Sequence, residues 1–301
     1  MRRYLSITIM KRIGLALIAV GVLGATEPDS DYAKSIEKWR SDKAQSLKKE
    51  NGWLTVAGLF WLREGINTVG VGPEFDVRLT DNFKKGKFGE IDFKNGSATL
   101  KVESGVEALS DGKQISTIDL VSDEKGKPTE VRTGSQRFYL IKREDRSGIR
   151  LKDNNSKARQ DFKGQHWFPI DENYKVKAQF EASANATELS VPNILGGHFK
   201  MKSPGLLKFS LKGKEYTLTP VVEEGDEELF LIFRDQSNES ETYKAGRFLY
   251  ADKPVNGEVT LDFNKAENPP CAFTPYATCP LPPPQNNLAV EINAGEKRYD
   301  H

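Results

Sequence analysis

The sequence has little of what usually marks a catalyst. Three histidines and two cysteines are spread over 301 residues, with no His-Glu-x-x-His or Cys-x-x-Cys spacing among them, so the common metal-binding patterns are missing. His166 stands beside Trp167-Phe168-Pro169 and reads as a hydrogen-bonded, partly buried side chain, while His198 follows two glycines on a loop. There is no Gly-x-Ser-x-Gly elbow, phosphate-cradling glycine loop or dinucleotide fingerprint, which removes the recognisable hydrolase, nucleotide and nicotinamide signatures. No metal and no cofactor is expected. An excess of one charge is also lacking, since 44 basic residues face 43 acidic ones. A mixed surface of this kind offers no electrostatic footprint for nucleic acid or an anionic membrane. Internal repeats and low-complexity tracts are absent.

The one long apolar run is at the start. Arg2, Arg3, Lys11 and Arg12 precede an uncharged stretch of thirteen residues, Ile13 to Ala25, with Gly24 or Ala25 as a small cleavage residue. Residues 1–25 therefore read as a secretory signal peptide, with Met10 as an alternative start. An uncleaved anchor is the other reading, but a spanning helix needs about 20 apolar residues. No cysteine follows the run, which excludes a lipoprotein. Removing the leader moves the formal charge from +1 to −3. The expected location is periplasmic or extracellular, with no stable membrane anchor after cleavage.

Next comes a single helical pattern. Tyr32, Ile36, Trp39 and Leu47 recur at helical spacing, Ser30 suits an N-cap, and Asn51-Gly52 suits a left-handed C-cap, so residues 26–52 are read as an N-terminal helix. From Trp53 onward, short alternating runs are interrupted by Gly, Asn and Asp every eight to twelve residues, the pattern of a sandwich or barrel. Strands are expected at 68–71, 75–79, 89–93, 97–102, 137–143, 174–180, 206–211, 214–220, 229–234, 247–250 and 258–263. Lys94-Asn95-Gly96 and Lys212-Gly213 are hairpin turns. The fold class is mainly β, with two packed antiparallel units, residues 53–151 and 165–301, joined by a polar connector at 152–164. Whether these are one domain or two is open at this point.

The densest feature lies near the C-terminus. Residues 268–286, NPPCAFTPYATCPLPPPQN, hold seven of the fifteen prolines and both cysteines. Proline fixes φ and removes a backbone donor, so this segment is neither helix nor central strand and follows one pre-ordered path. A pocket wall can be built this way. Cys271 and Cys279 are expected to form a disulfide in an exported chain. The alternative, a nucleophilic thiol, needs a histidine or helix N-terminus that nothing in the sequence brings to the loop.

Charged residues inside apolar strands supply the candidate site. In 229–235, Leu229, Leu231 and Phe233 face one way and Phe230, Ile232 and Arg234 the other, which places Arg234 beside buried side chains. Arg247 follows Gly246 at the head of RFLY, and Asp262 and Asn264 alternate with Leu261 and Phe263. Charges so placed are paired or meet a ligand. One reading is an internal network joining Arg234 or Arg247 to Asp235 or Asp262. The other is a pocket for an oxyanion, since guanidinium offers a planar bidentate fork. In that pocket Arg150, Arg234 and Arg247 bind, with Asp153 reaching in beside Arg150. Tyr243, Tyr250 and Tyr276 form walls, and Asn264, Asn268 and Asn286 supply neutral hydrogen bonds. Each asparagine also has a plainer role, closing a turn on its own backbone. Asp235 and Asp262 are the carboxylate pair nominated for acid–base chemistry.

Several segments together resemble the domain-of-unknown-function family 1684: GWLTVAGLFWLREGINTVG at 52–70, SGIRLKD at 147–153, FRDQSNESETYKAGRFLY at 233–250, LDFNKAENPPCAFTPYATCPLPPPQNNL at 261–288 and AGEKRY at 294–299. The resemblance implies a bacterial protein and no assigned reaction. Lys265 and Glu267 depart from it, standing where many relatives have Arg and an aromatic residue, and this concerns the rim of the site rather than the fold. Residues 65–79 are also similar to the opening strands of a forkhead-associated sandwich, an option for the first unit. The Ser-x-x-His of its phosphothreonine readers is missing from 80–89, so the binding activity is not implied, and fold alone is poor evidence for function. The leading functional reading is an exported protein that binds a small polar or anionic ligand under the Pro/Cys loop. A hydrolase using carboxylates or an unrecognised metal, and a structural or interaction module of the cell envelope, are the alternatives.

Overall fold

The helical pattern after the leader folds as α1, Ser30–Lys48, and its buried side is anchored to the rest of the chain. Ile36 is fully buried, Trp39 meets Trp167 edge-on at 5.5 Å, and Arg40 Nη2 donates to the Phe168 carbonyl at 3.0 Å. The computed structural model describes residues 30–80, 86–222, 225 and 227–299; the leader at 1–25 lies outside them. Among the described residues no helix is long and apolar enough to cross a membrane. Gly52 is not the left-handed cap the sequence suggested, because its φ is −66°. Glycine is required there by proximity instead: a Cβ would lie 2.1 Å from the Leu47 carbonyl oxygen.

Strands make up most of the remainder. The first unit contains β1 (Val56–Trp61), β2 (Gly65–Val71), β3 (Val77–Arg78), β4 (Gly86–Lys94), β5 (Ser97–Val102), β6 (Leu109–Ser110), β7 (Lys113–Gln114), β8 (Thr117–Asp119), β9 (Val131–Thr133), β10 (Gln136–Arg143) and β11 (Arg146–Asp153). They form two sheets, ordered β1-β11-β10-β9-β6-β7 and β3-β2-β4-β5-β8. Only β2 and β3 run parallel. Val69, Ile91, Leu100, Phe138, Ile149 and Leu151 belong to one core between the sheets, and Phe88 meets Phe138 edge-on at 5.6 Å. The second unit contains β12 (Lys175–Pro192), β13 (His198–Leu211), β14 (Lys214–Leu218), β15 (Glu228–Phe233), β16 (Arg247–Asp252) and β17 (Glu258–Asp262). Its four-stranded sheet, β14-β13-β12-β17, packs with the β15-β16 pair around a core that includes Leu207, Phe209, Phe233, Leu249, Leu261 and Phe263. None of the four sheets closes into a barrel.

The expected hairpins at 94–97 and 211–214 pair as Lys94↔Ser97 and Leu211↔Lys214. Both central residues of each turn have positive φ, the two-residue geometry whose twist matches that of the flanking strands. The polar stretch at 152–164 ends β11 and carries the one-turn helix α2, Lys157–Asp161, capped by Ser156.

Candidate functional site

Alternation along the β10–β11 ribbon builds one wall of a cleft. Phe138, Leu140, Ile149 and Leu151 enter the core of the first unit, which sends Arg137, Tyr139, Arg150 and Lys152 to the opposite face. There Tyr139 is paired across the strands with Arg150, and Arg137 with Lys152. That face meets the second unit across a hollow of about 910 Å³, lined by Arg143 and Arg150 from the ribbon, Lys200 and Lys202 from β13, Trp53, and Phe230, Phe248 and Tyr250 from the β15–β16 pair. Among the described residues the lining holds four cationic side chains and no carboxylate.

The two arginines differ in how they are held. Arg143 is saturated: Nη1 and Nη2 fork onto the Asp123 carboxylate at 3.0 and 2.8 Å, and Nε donates to Thr278 Oγ1 at 3.1 Å. Arg150 is 3% exposed. Its Nη2 donates to Thr278 Oγ1 at 3.3 Å, its guanidinium lies 5.5 Å from the centre of the Trp53 ring, and its Nε has no hydrogen-bond partner among the described residues. No carboxylate pairs with it there. Burial pulls its pKa down, with Arg143 nearby adding to this and Tyr139 opposing it. The same face pushes Lys152 down to about 8, through burial first and then Arg137 and Arg150.

Thr278 belongs to the proline-rich loop, which closes the cleft with Pro270, Cys279 and Pro280. Cys271 and Cys279 are disulfide-bonded, with Cα atoms 6.3 Å apart, and both pack against Phe230, Ile232 and Phe248 beneath the cleft. A ring of this size restricts the unfolded chain by about 2.6 kcal/mol on the loop-entropy account. The loop is also tied down along its length. Thr274 Oγ1 donates to the Val56 carbonyl at 3.1 Å, Tyr243 Oη to the Cys271 carbonyl at 3.2 Å, and the Leu281 N–H to the Pro192 carbonyl at 2.7 Å. Gly246, at φ 111°, lets Pro282 approach, since a Cβ there would sit 2.4 Å from the proline ring.

A second hollow of about 390 Å³ adjoins the first and shares Trp53, Phe248, Tyr250 and Pro270 with it. Glu267, Asn268 and Glu296 also line it. Glu267 Oε2 is 2.6 Å from Lys43 Nζ, and burial pushes this carboxyl above its ordinary range. Glu296 is 1% exposed. Burial, opposed by the Asn268 N–H and reinforced by Glu267, pushes its pKa up to about 8.

Of the residues nominated from sequence, the structure brings Arg150 to the cleft, Asn268 to the smaller hollow and Tyr250 to both, while the other pocket and acid–base candidates lie elsewhere. Arg247, fully buried, sits 2.5 Å from Asp235 and donates to the Ala294 and Ile292 carbonyls at 2.6 and 3.1 Å. Asp235 also caps the turn at Gln236–Glu239, so both belong to an internal network. Asp262 accepts from Tyr32 Oη at 2.9 Å and from the Asn264 N–H at 3.2 Å, and the Asn264 side chain continues to the Asp171 carbonyl at 2.8 Å. This network docks α1. Asp235 and Asp262 thus occupy separate networks, and neither lines either hollow. Asn286 bridges the Thr219 and Ile232 carbonyls at 2.9 Å each. Arg234 is exposed, contrary to the alternation argument. Strand β15 ends at Phe233, and beyond it the Arg234 backbone pairs with Asn286 and Leu288 while its side chain meets solvent. Tyr276 is 37% exposed, and Tyr243 is spent on the Cys271 carbonyl. Asp153 accepts from Thr80 and Ser135.

Several lining residues escaped the sequence reading. Arg143 carried a usable signal, because it lies on the same alternating face as Arg137 and Tyr139. Trp53, Thr278, Lys202 and Glu296 carried none, since only long-range packing brings them together. Among the described residues no cluster of three His, Cys, Asp or Glu side chains could hold a metal ion.

Residues 160–297 match the model of a family described as a protein of unknown function, DUF1684. The solution NMR structure of an uncharacterized protein from gene locus rrnAC0354 of Haloarcula marismortui is similar at 30% identity, covering 46% of this chain and 78% of that one, with a TM-score of 0.40. No curated protein matches. The family match contains the proline-rich loop, whereas Trp53, Arg143 and Arg150 precede it.

Proposed function

This chain belongs, through residues 160–297, to the DUF1684 family of unknown function, and on that premise we propose that it binds a small anionic ligand with an apolar or aromatic body in the cleft between its two β units. The observation that carries the reading is Arg150, a buried guanidinium in a cleft with no carboxylate among its described lining residues and with one nitrogen unpartnered among them. A buried charge is retained when something compensates it. A ligand carboxylate or phosphate would do so, with Thr278 and Arg143 positioning the guanidinium and Lys202 adding charge at the mouth. Phe230, Phe248, Tyr250 and Trp53 would cover the apolar body. The volume lies within the usual range of about 300–1,000 Å³ for small-molecule sites.

The test is Arg150→Met, titrated with benzoate and phenyl phosphate by calorimetry. Losing a charged hydrogen bond is expected to weaken binding about 10- to 100-fold. Thermal stability should be unchanged or slightly raised, because no carboxylate is left stranded. Equal affinity in wild type and variant would remove the reading.

We also propose that the protein works outside the cytoplasm. The leader pattern at 1–25 and the Cys271–Cys279 bond both support export. An intact mass of protein made with its own leader should lack residues 1–25 and show no alkylatable thiol. A full-length mass would sink the export reading.

A further inference from the structure

Taking the anion reading as given, we infer that the ligand is an anion with a long unbranched apolar chain, an acyl-chain carboxylate or alkyl phosphate, whose head meets Arg150 and whose chain runs on into the smaller hollow. The cleft offers its occupant little hydrogen bonding beyond the head. No Ser, Asn, Gln, Asp or Glu side chain lines it among the described residues. Thr278 Oγ1 is already taken by Arg143 Nε and Arg150 Nη2 at 3.1 and 3.3 Å, and Lys200 Nζ lies 3.1 Å from the Glu188 carboxylate. A sugar, nucleoside or peptide carries polar groups along its whole length, and each one buried without a partner weakens binding. An acyl chain carries none.

The apolar wall continues past the cleft. Trp53, Phe248, Tyr250 and Pro270 line both hollows, and Leu47 and Phe273 extend the wall within the smaller one. The polar groups of the smaller hollow are occupied with one another: Glu296, largely protonated at neutral pH through burial, hydrogen-bonds with Asn268 and Gln165, and Glu267 is held by Lys43 at 2.6 Å. They call for no polar group from an occupant. Size points the same way, since the cleft alone, at about 910 Å³, is near the top of the range of about 300–1,000 Å³ for small-molecule sites. A single aromatic ring fills part of one hollow, whereas a flexible chain can leave Arg150, pass Trp53, whose ring centre is 5.5 Å from that guanidinium, and occupy both. On the opposite wall Met201 packs with Phe230 and Phe248, and methionine is the side chain that best adapts to a chain of variable shape.

The test is calorimetry of the whole mature protein with straight-chain carboxylates from hexanoate to dodecanoate, kept below their micelle-forming concentrations, with benzoate and decyl phosphate alongside. Affinity is expected to rise by up to about four-fold for each CH₂ buried and to level off once the chain fills the hollows, and decanoate should bind about ten-fold or more tighter than benzoate. Whichever of decanoate and decyl phosphate binds tighter identifies the head group. Leu47→Gln, in the smaller hollow, should weaken dodecanoate about five-fold or more and leave hexanoate unchanged. The wild-type series decides the matter if that variant does not fold: an affinity flat from hexanoate to dodecanoate, or benzoate binding as tightly as decanoate, overturns the inference. In Arg150→Met the whole series should weaken together, about 10- to 100-fold, with its dependence on chain length retained. If that dependence appears and Arg150→Met leaves every affinity unchanged, the chain site stands and the anion reading fails. If Arg150→Met abolishes benzoate binding in a protein indifferent to chain length, the anion reading stands and the long-chain ligand is ruled out.

Discussion

Arg247→Met is expected to destabilise the protein by about 3–5 kcal/mol, the usual consequence of removing one partner from a buried ion pair. Arg247 is fully buried, and Asp235 is 3% exposed. The substitution leaves the carboxylate without the Nη2 donor at 2.5 Å and strips donors from the Ala294 and Ile292 carbonyls. Asp235 also orders the turn at Gln236–Glu239, with its backbone N–H accepted by Asn238 Oδ1 at 2.8 Å, so the disturbance spreads to the start of the 236–246 connection. Urea denaturation provides the measurement. A change under about 1 kcal/mol would show that the pair contributes no more than a surface bridge. Removing both charges in Arg247→Met/Asp235→Leu should recover part of the loss, since the stranded charge is the larger component. Arg150→Met is the informative contrast: it removes an equally buried arginine with no acid to strand.

The second large effect is a dependence of stability on pH that passes through Glu296. Its pKa is raised to about 8 from an ordinary value of 4.5, so between those values the folded protein holds a proton that the unfolded chain has released. Stability then falls as pH rises through that window, by up to about 1.4 kcal/mol per pH unit for a fully coupled group. Above the folded value both states are ionised and the dependence ends. Glu296→Gln, which is neutral throughout, should flatten the curve between about pH 5.5 and 8. Glu267 contributes in the same direction, because burial raises it as well, although Lys43 opposes the shift. A wild-type curve already flat across that range, or a slope unchanged in Glu296→Gln, would contradict the account. Glu296 would then be ionised in the fold.

The contrast between Arg150 and Arg247 shows where sequence reading stops. Both stand in strands with apolar neighbours, and local alternation marks both as charges in an awkward place. Arg247 meets Asp235 twelve residues away and carbonyls 45 and 47 residues away, whereas Arg150 meets Thr278, 128 residues away, and no acid among the described residues. The asparagines divide similarly. Asn264 and Asn286 tie down segments distant in the chain rather than closing a turn on their own backbone, while Asn268 joins the Lys297 carbonyl and the Glu296 carboxyl at the smaller hollow. Glu296 lies in AGEKRY with nothing in its neighbourhood to distinguish it from the acids on the surface, yet it is almost completely buried.

What the sequence determined by itself is local. The period-two pattern specified part of the strand set, missing β1, β6 to β9 and β11 and the outer halves of β12 and β13, while the turn pairs at 95–96 and 212–213 specified two hairpins, helical spacing specified α1, and two cysteines in a chain read as exported pointed to the disulfide. The tertiary structure decided which face met which, where the loop came to rest, and whether each buried charge found a partner. The physical reason is range: alternation and turn chemistry act over two to four residues, whereas the pairing of a buried charge depends on groups supplied by distant segments once the two β units have packed.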